Sequence, residues 1–372
     1  MIKFLDLRWQ IDNAPEIKNS ISRVLKSGNF IGGSEVESFE SEYSSYTDST
    51  FCTGIGNGLD ALRLSLLAAG VKPGDEVIVP AYTFIATWLA VTSIGAKVVP
   101  VDVRTDDLSL NSKLISNKIT SKTICIIPVF IFGKLCIDID EIIQIAQRNN
   151  LTLLFDAAQA AGASFINDIN KKNIKKIIMA WSFYPGKNLG AIGDAGAVTT
   201  NNKEINDNLR LLRNYGSEVK YFHSEKGFNS RMDSLQAAIL RVKLEYLNLW
   251  NNKRKIQASI YSGLDSEFIT PMFSSSISDE TNWHLFVAQT PYRKQIIQYL
   301  LNQGIESGIH YPIPPYNQAC YKDLAINKSE FKVTSFASDR VISLPIGPHL
   351  EVEDIKKIVE IVNQFRPETN VN

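Results

Sequence analysis

The chain has 372 residues, and its 39 Lys and Arg are balanced by 39 Asp and Glu, a formal net charge of zero. That balance excludes a dominant polycationic surface of the kind that holds nucleic acid or an anionic membrane. With 44% hydrophobic and 21% charged residues, the composition is that of a globular chain with an ample core and excludes wholesale disorder.

At roughly 150 residues per domain, the length suggests two domains. No stretch approaches the ~20 apolar residues of a spanning helix. The most apolar segment, Ile124 to Gly133, is broken by Pro128 and reads as a buried strand. The opening MIKFLDLRWQ carries Lys3, Asp6 and Arg8 and lacks the apolar core of a signal peptide, so a cytoplasmic location is expected. Cys52, Cys125, Cys136 and Cys320 include no CxxC pair and read as free thiols. His223, His284, His310 and His349 form no HxxxH or HxH pair, so no metal site is expected.

In chain order, Asn57 to Gly70 places Leu59, Leu62, Leu66 and Ala69 at helical spacing. Pro73-Gly74-Asp75 then turns into a strand at Glu76–Val79. A helix through Ala86 to Ile94 ends at Gly95 and is followed by strands at Lys97–Val101 and Thr123–Ile127. Ile139, Ile142, Ile143 and Ala146 mark a helix before a strand at Leu151–Phe155; strands at Lys176–Ala180 and Gly196–Thr200 follow. Apolar strands alternating with helices predict a mostly parallel sheet covered on both faces. A long helix runs from Met232 to about Trp250. Beyond it the pattern changes to a strand at His284–Gln289, a helix at Lys294–Gln303, a strand at Val341–Ser343 and a terminal helix from Glu353 to Phe365. The predicted division is a large α/β domain over 1–245 and a smaller α+β domain over 246–372. Ser274-Ser275-Ser276 reads as a loop.

Three segments carry chemistry. In Trp181-Ser182-Phe183-Tyr184-Pro185-Gly186-Lys187-Asn188-Leu189-Gly190, a lysine follows a strand among apolar, small and aromatic neighbours. Partial desolvation there favours the nucleophilic amine that Schiff-base chemistry needs; the alternative is an ordinary lysine in a Pro-Gly turn. A P-loop reading fails because Asn188 stands where Ser or Thr would hold magnesium. In Phe155-Asp156-Ala157-Ala158-Gln159, an aspartate sits at the carboxyl end of a strand, where ligands of open α/β sheets bind. Its two readings are a partner for a pyridine nitrogen and a helix N-cap. Gly54-Ile55-Gly56-Asn57-Gly58-Leu59 is a glycine-rich turn opening a helix, suited to a phosphate. It does not complete GxGxxG, and the strand Val77–Val79 runs into Pro80 rather than the acid a dinucleotide site needs. Cradle, acid and lysine, in that order on a parallel sheet, describe a pyridoxal phosphate enzyme. A nucleotide-dependent oxidoreductase and a catalytically silent regulatory protein on the same fold are the alternatives.

The chain resembles the DegT/DnrJ/StrS group of sugar aminotransferases over nearly its whole length. The likeness lies in FLDL at 4–7, GNGLDAL at 56–62, GDEVIVPAYTFIATW at 74–88, FDAAQAAGA at 155–163, SFYPGKNLGAIGDAGA at 182–197, RNYGS at 213–217, FNSRMDSLQAAIL at 228–240 and GIHYPIPP at 308–315. YPGKNLG and GIHYPIPP look most like the branch that aminates C3 of dTDP-linked 3-keto-6-deoxyhexoses, with C4 amination the alternative. The resemblance implies the fold type I architecture, a large mostly parallel seven-stranded sheet domain plus a small α+β domain.

It further implies that Lys187 joins the cofactor, pyridoxal 5'-phosphate, covalently and shuttles the proton. By the same likeness Asp156 pairs with the pyridine nitrogen and Gln159 bonds the phenolic oxygen. Ser182 and the Asn57-Gly58-Leu59 turn would hold the phosphate, and Phe84 would stack on the ring. Asn229 would reach the phosphate of a neighbouring subunit, making a homodimer necessary, and Tyr184, His310 and Tyr311 would lie near the sugar. The implied partners are L-glutamate and a nucleotide-sugar. Two positions depart from the family wording: Phe155 and Ala161 stand where members often carry an acid and a histidine. The change at 161 is expected to alter the pocket behind the cofactor.

Overall fold

The computed structural model describes residues 1–172, 174, 176–272, 281–324 and 326–368; the Ser274–Ser276 loop lies outside them. Ten strands are present among these residues: β1 Phe51–Ile55, β2 Glu76–Pro80, β3 Lys97–Val101, β4 Thr123–Ile126, β5 Thr152–Asp156, β6 Ile177–Ser182, β7 Gly196–Thr200, β8 Thr270–Pro271, β9 Phe286–Gln289 and β10 Val341–Leu344. The first seven form one sheet in the order β1-β7-β6-β5-β4-β2-β3. Only β7 runs against the rest, pairing antiparallel with both β1 and β6. β8, β9 and β10 make a separate antiparallel sheet, β10-β9-β8.

Continuous apolar runs become strands here because both faces of the sheet are covered. Side chains alternate across each strand. Leu153 and Phe155 of β5, with Met179 and Trp181 of β6, join one buried cluster under the helices Ser34–Tyr46, Ile139–Arg148 and Ser234–Ile260. Leu154, Ile178 and Ala180 point the other way, into a cluster closed by the helices Gly58–Ala68, Ala86–Thr92 and Lys203–Leu212. Phe155 stacks on Phe130 at 5.1 Å, and Ala161 is buried in the first cluster, so both departures from the family wording face the core.

Several elements differ from the sequence reading. The long helix runs Ser234–Ile260, ten residues beyond Trp250, with Ala237, Leu240 and Leu247 in the large core and Ala258 in the small one. Its stripe changes partners midway, which blurs the periodicity. β9 begins at Phe286, leaving His284 just ahead of the strand. Three N-terminal helices, Leu7–Asp12, Glu16–Ser27 and Ser34–Tyr46, and the strand β1 were not anticipated. β1 reads FCTGI, too short and glycine-interrupted to stand out. The first residues fold back onto the smaller core: the Ile2 amide donates to Gly304 O at 2.7 Å and Ile2 packs there with Phe4.

Glu40 anchors β1, the strand that leads into the glycine turn. Its buried carboxylate accepts from the Gly54 amide (2.8 Å), Arg210 Nη2 (2.8 Å) and Arg213 Nη1 (2.5 Å). Replacing Glu40 by Ala strands the Gly54 amide and the half-buried Arg213. The expected cost is about 2–4 kcal/mol, read as a lower urea midpoint of Trp fluorescence.

Candidate active site

At the carboxyl ends of the central strands a cavity of about 610 Å³ opens between the two sheets' domains, lined from both halves of the chain. Lys187 lies in the connection from β6 to β7. Because these strands are antiparallel neighbours, with Ser182 opposite Gly196, the connection returns on itself and both ends are held. Inside it the Phe183 amide donates to Ala195 O, the Ala191 amide to Phe183 O and the Lys187 amide to Tyr184 O, each at 2.8 Å. From the long helix, Lys243 Nζ donates to Gly190 O (2.7 Å) and Gln236 Oε1 accepts from the Ile192 amide (3.0 Å). A Cβ on Gly190 would fall 2.3 Å from Pro185 O, so only glycine permits this closure.

Lys187 Nζ makes no ion pair within 4.0 Å among the described residues. Burial pushes its ammonium down to about 8, against the pull of Asp156. Asp156 ends β5, buried. Its Oδ2 accepts from Thr87 Oγ1 (2.8 Å) and its Oδ1 from the Ala158 amide (3.2 Å). With its proton so used, Thr87 Oγ1 accepts from Thr83 Oγ1 at 2.8 Å. The next helix begins only at Phe165, so Asp156 is not a helix cap. Burial raises the Asp156 pKa above the ordinary carboxylate value, opposed by Thr87, Ala158 and Lys187. A buried carboxylate of this kind is best satisfied by a cationic N–H.

The glycine turn opens the helix Gly58–Ala68. Asn57, extended at φ −165°, caps it by accepting the Asp60 amide on Oδ1 (2.8 Å), and its carbonyl takes the Ala61 amide. The Gly58 and Leu59 amides are left without a protein acceptor among the described residues. Ser182 closes on this turn: a Cβ on Gly58 would stand 2.5 Å from Ser182 Cβ. Helix amides plus a serine hydroxyl in a pocket that tolerates no side chain suit a phosphate.

Gln159 accepts the Phe132 amide on Oε1 (2.6 Å) and donates from Nε2 to the Tyr311 hydroxyl (3.1 Å). Phe84 is exposed to the cavity with its ring 5.6 Å from that of Tyr311. The Tyr82 hydroxyl grips the His310–Tyr311 peptide from the large domain, donating to His310 O (2.6 Å) and accepting from the Tyr311 amide (2.8 Å). His310 Nδ1 lies 2.8 Å from Ser343 Oγ, and the ring stacks on Phe4 at 5.7 Å. Burial, then Lys187, takes its pKa down to about 4, leaving it neutral at pH 7. Tyr184 lines the cavity mouth, 59% exposed.

The cavity thus gathers every residue singled out from the sequence except Asn229. Its backbone makes an antiparallel bridge with Asn214, and the residue is exposed, away from the cavity of its own chain. Ala161 is not in the cavity wall; its carbonyl accepts from Asn251 and Asn282. The sequence reading missed Thr87, Asn188, Arg254 and His284. Thr87 sits in the quoted PAYTFIATW run and Asn188 directly follows Lys187 in YPGKNLG, but nothing local marks Arg254 or His284 as neighbours of the site.

Fold and site define a pyridoxal phosphate-dependent enzyme of fold type I, an aminotransferase. The chain belongs to the DegT/DnrJ/EryC1/StrS aminotransferase family, whose model matches residues 12–363. It is 43% identical over 358 residues to the "erythromycin biosynthesis sensory transduction protein EryC1" of Saccharopolyspora erythraea, covering 96% of this chain and 95% of that one. It is 42% identical to the dTDP-3-amino-3,6-dideoxy-alpha-D-galactopyranose transaminase of Aneurinibacillus thermoaerophilus, covering 98% and 99%. The crystal structure of S. venezuelae DesV in complex with a ketimine intermediate superposes with a TM-score of 0.92 at 39% identity, covering 98% of each chain. Solved relatives hold the cofactor as pyridoxal or pyridoxamine phosphate. Among the described residues no helix is long and apolar enough to cross a membrane.

Two outcomes follow from this geometry. Gly58→Ala drives a methyl into Ser182, so cofactor affinity is expected to fall about 10- to 100-fold in an absorbance titration, with unchanged circular dichroism. In cofactor-free protein, Lys187 is expected to react with an amine-acylating reagent with a midpoint near pH 8, rising with pH, when its peptide is quantified by mass spectrometry.

Proposed function

We propose that this protein transfers the amino group of L-glutamate to the keto carbon of a nucleotide-linked 6-deoxyhexose, C3 of a dTDP-3-keto-6-deoxyhexose. The observation that carries the reading is a desolvated lysine amine and a buried carboxylate in one cavity with a helix start whose first amides stand beside Ser182. The choice of C3 and of the dTDP carrier is supported by relatives named for 3-amino-dideoxy and 3-amino-trideoxy sugars on that carrier. Family membership replaces the dinucleotide reading of the glycine turn.

When bound, pyridoxal phosphate supplies an electron sink for the carbanion formed next to the transferred nitrogen. The protein's residues do the rest. The Gly58 and Leu59 amides with Ser182 hold the phosphate, and Asn57 fixes their direction by capping the helix. Asp156, steadied by Thr87, accepts the ring N–H and keeps the ring cationic. Gln159, whose amide nitrogen already donates to the Tyr311 hydroxyl, would offer its second hydrogen to the cofactor's phenolic oxygen, and Phe84 would cover a ring face. Lys187, with a pKa near 8, can take a proton from the donor's α-carbon and return one to the sugar carbon. Tyr184, His310 and Tyr311 line the sugar's side. The exposed Asn229 serves a neighbouring subunit's phosphate, which makes the active form a homodimer.

Glutamate incubated with a panel of nucleotide-linked 3-keto and 4-keto sugars is expected to yield 2-oxoglutarate and a 3-amino sugar. A 4-amino product would overturn the choice of carbon, and no aminated product the reaction itself. Lys187→Ala is expected to lose at least the ~10²- to 10⁴-fold of its base role. Borohydride reduction of the wild-type holoenzyme is expected to leave the cofactor mass on the peptide containing Lys187.

A further inference from the structure

Behind Lys187 three buried asparagines form a hydrogen-bonded set whose direction is dictated by main-chain carbonyls, which only accept. Asn251 Nδ2 donates to Ala161 O (3.1 Å), so Asn251 Oδ1 faces Asn188. Asn282 Nδ2 donates to Gln159 O (3.0 Å) and Ala161 O (2.8 Å). Asn188 Nδ2 donates to Asn282 O (3.0 Å) and Asn251 Oδ1 (2.8 Å). With its nitrogen committed twice, Asn188 can offer His284 only Oδ1, which lies 2.9 Å from the ring Nδ1. That contact is a hydrogen bond only if Nδ1 carries the proton.

The ring is neutral. Burial, then the cations Lys187 and Arg254 and the neighbouring His310, hold its pKa well below the ordinary value, with no opposing carboxylate among the described residues. Arg254 is itself buried and tied to the carbonyls of Trp283, His284 and Ile346, at 3.2, 3.3 and 3.0 Å. A neutral imidazole protonated at Nδ1 has a bare lone pair on Nε2. Nε2 has no protein partner among the described residues, is not sealed from solvent, and belongs to a side chain in the cavity wall.

We infer that His284 Nε2 is the acceptor for a ring hydroxyl of the sugar substrate. The two proposed substrates differ in what they could offer it. Glutamate's free ends are two carboxylates, which accept only and would meet the lone pair unfavourably. The ketosugar carries hydroxyl donors. The acceptor therefore acts in the sugar half-reaction and not in the glutamate one, an inference that rests on the proposed reaction and adds a specificity determinant to it.

The test uses His284→Asn in the holoenzyme, because an asparagine keeps a donor where Nδ1 stands and removes Nε2. Each half-reaction is followed separately by the cofactor's absorbance in single turnovers. Expected are a glutamate half-reaction within about twofold of wild type and a sugar half-reaction slowed about 10- to 100-fold. Among ketosugars lacking one ring hydroxyl each, one is expected to react slowly with wild type and no more slowly with the variant. Equal slowing of both half-reactions would mean a purely structural role and would overturn the inference. A second readout is independent of turnover: ¹⁵N spectra of ring-labelled protein, with His284 assigned by its loss in the variant, are expected to show the proton on Nδ1. A proton on Nε2 would overturn the inference as well. If wild type aminates no ketosugar, the proposed function fails instead, and the ring spectrum still decides whether Nε2 is a bare acceptor.

Discussion

The site depends on one arrangement that an unaided chain would avoid: an amine and a carboxylate, both desolvated, held in one cavity without pairing. Each group is less comfortable in its charged form than it would be in water, as the lowered Lys187 and raised Asp156 pKa values record. The fold sustains this by restraining both backbones. Asp156 closes a fully buried strand, and Lys187 sits in a connection clamped by the antiparallel β6–β7 pair and by Lys243 and Gln236. Discomfort of this kind is where local rules are broken for chemistry and offset by the packing around them.

The single antiparallel strand is what makes the clamp possible. Were β7 parallel to β6, the connection would need a crossover, and the lysine would ride on a long segment instead of a short return. β7 also lies between β6 and β1, so the strand that leads into the phosphate cradle and the strand that presents the lysine share a neighbour. Gly58 against Ser182 is the point where the two meet. The spacing of cradle and amine is therefore a property of the sheet.

The smaller sheet's domain completes the cavity from the other side. Arg254 and Gln257, on one turn of the long helix, bind main-chain carbonyls at Trp283, His284, Ile346, Gly347 and Leu350. They set the height of His284 ahead of β9. Tyr82 does the same for His310 and Tyr311. Buried donors on the long helix, with Tyr82 of the large domain, thus aim the substrate-facing wall, and the asparagine set ties that wall to the turn bearing the reactive amine.

Much of this was legible in the amino-acid order. Strand-length apolar runs, the acid at a strand end, the lysine in its Pro-Gly turn and the glycine-rich helix start are local patterns, and local patterns survive in a linear string. β1 and the three N-terminal helices were not legible, because FCTGI and the polar first fifty residues acquire their structure from what they pack against. The long helix was cut short for the same reason: its buried side changes from one core to the other. Sequence by itself determined which chemical groups are present and which lie at element ends. Only the tertiary structure decided that His284, Asn188, Asn251 and Asn282 stand together, which amide end faces which carbonyl, and which nitrogen of the ring is left bare. Those facts depend on contacts between residues up to 123 positions apart, whose directions are set by hydrogen-bond partners that no neighbouring residue announces.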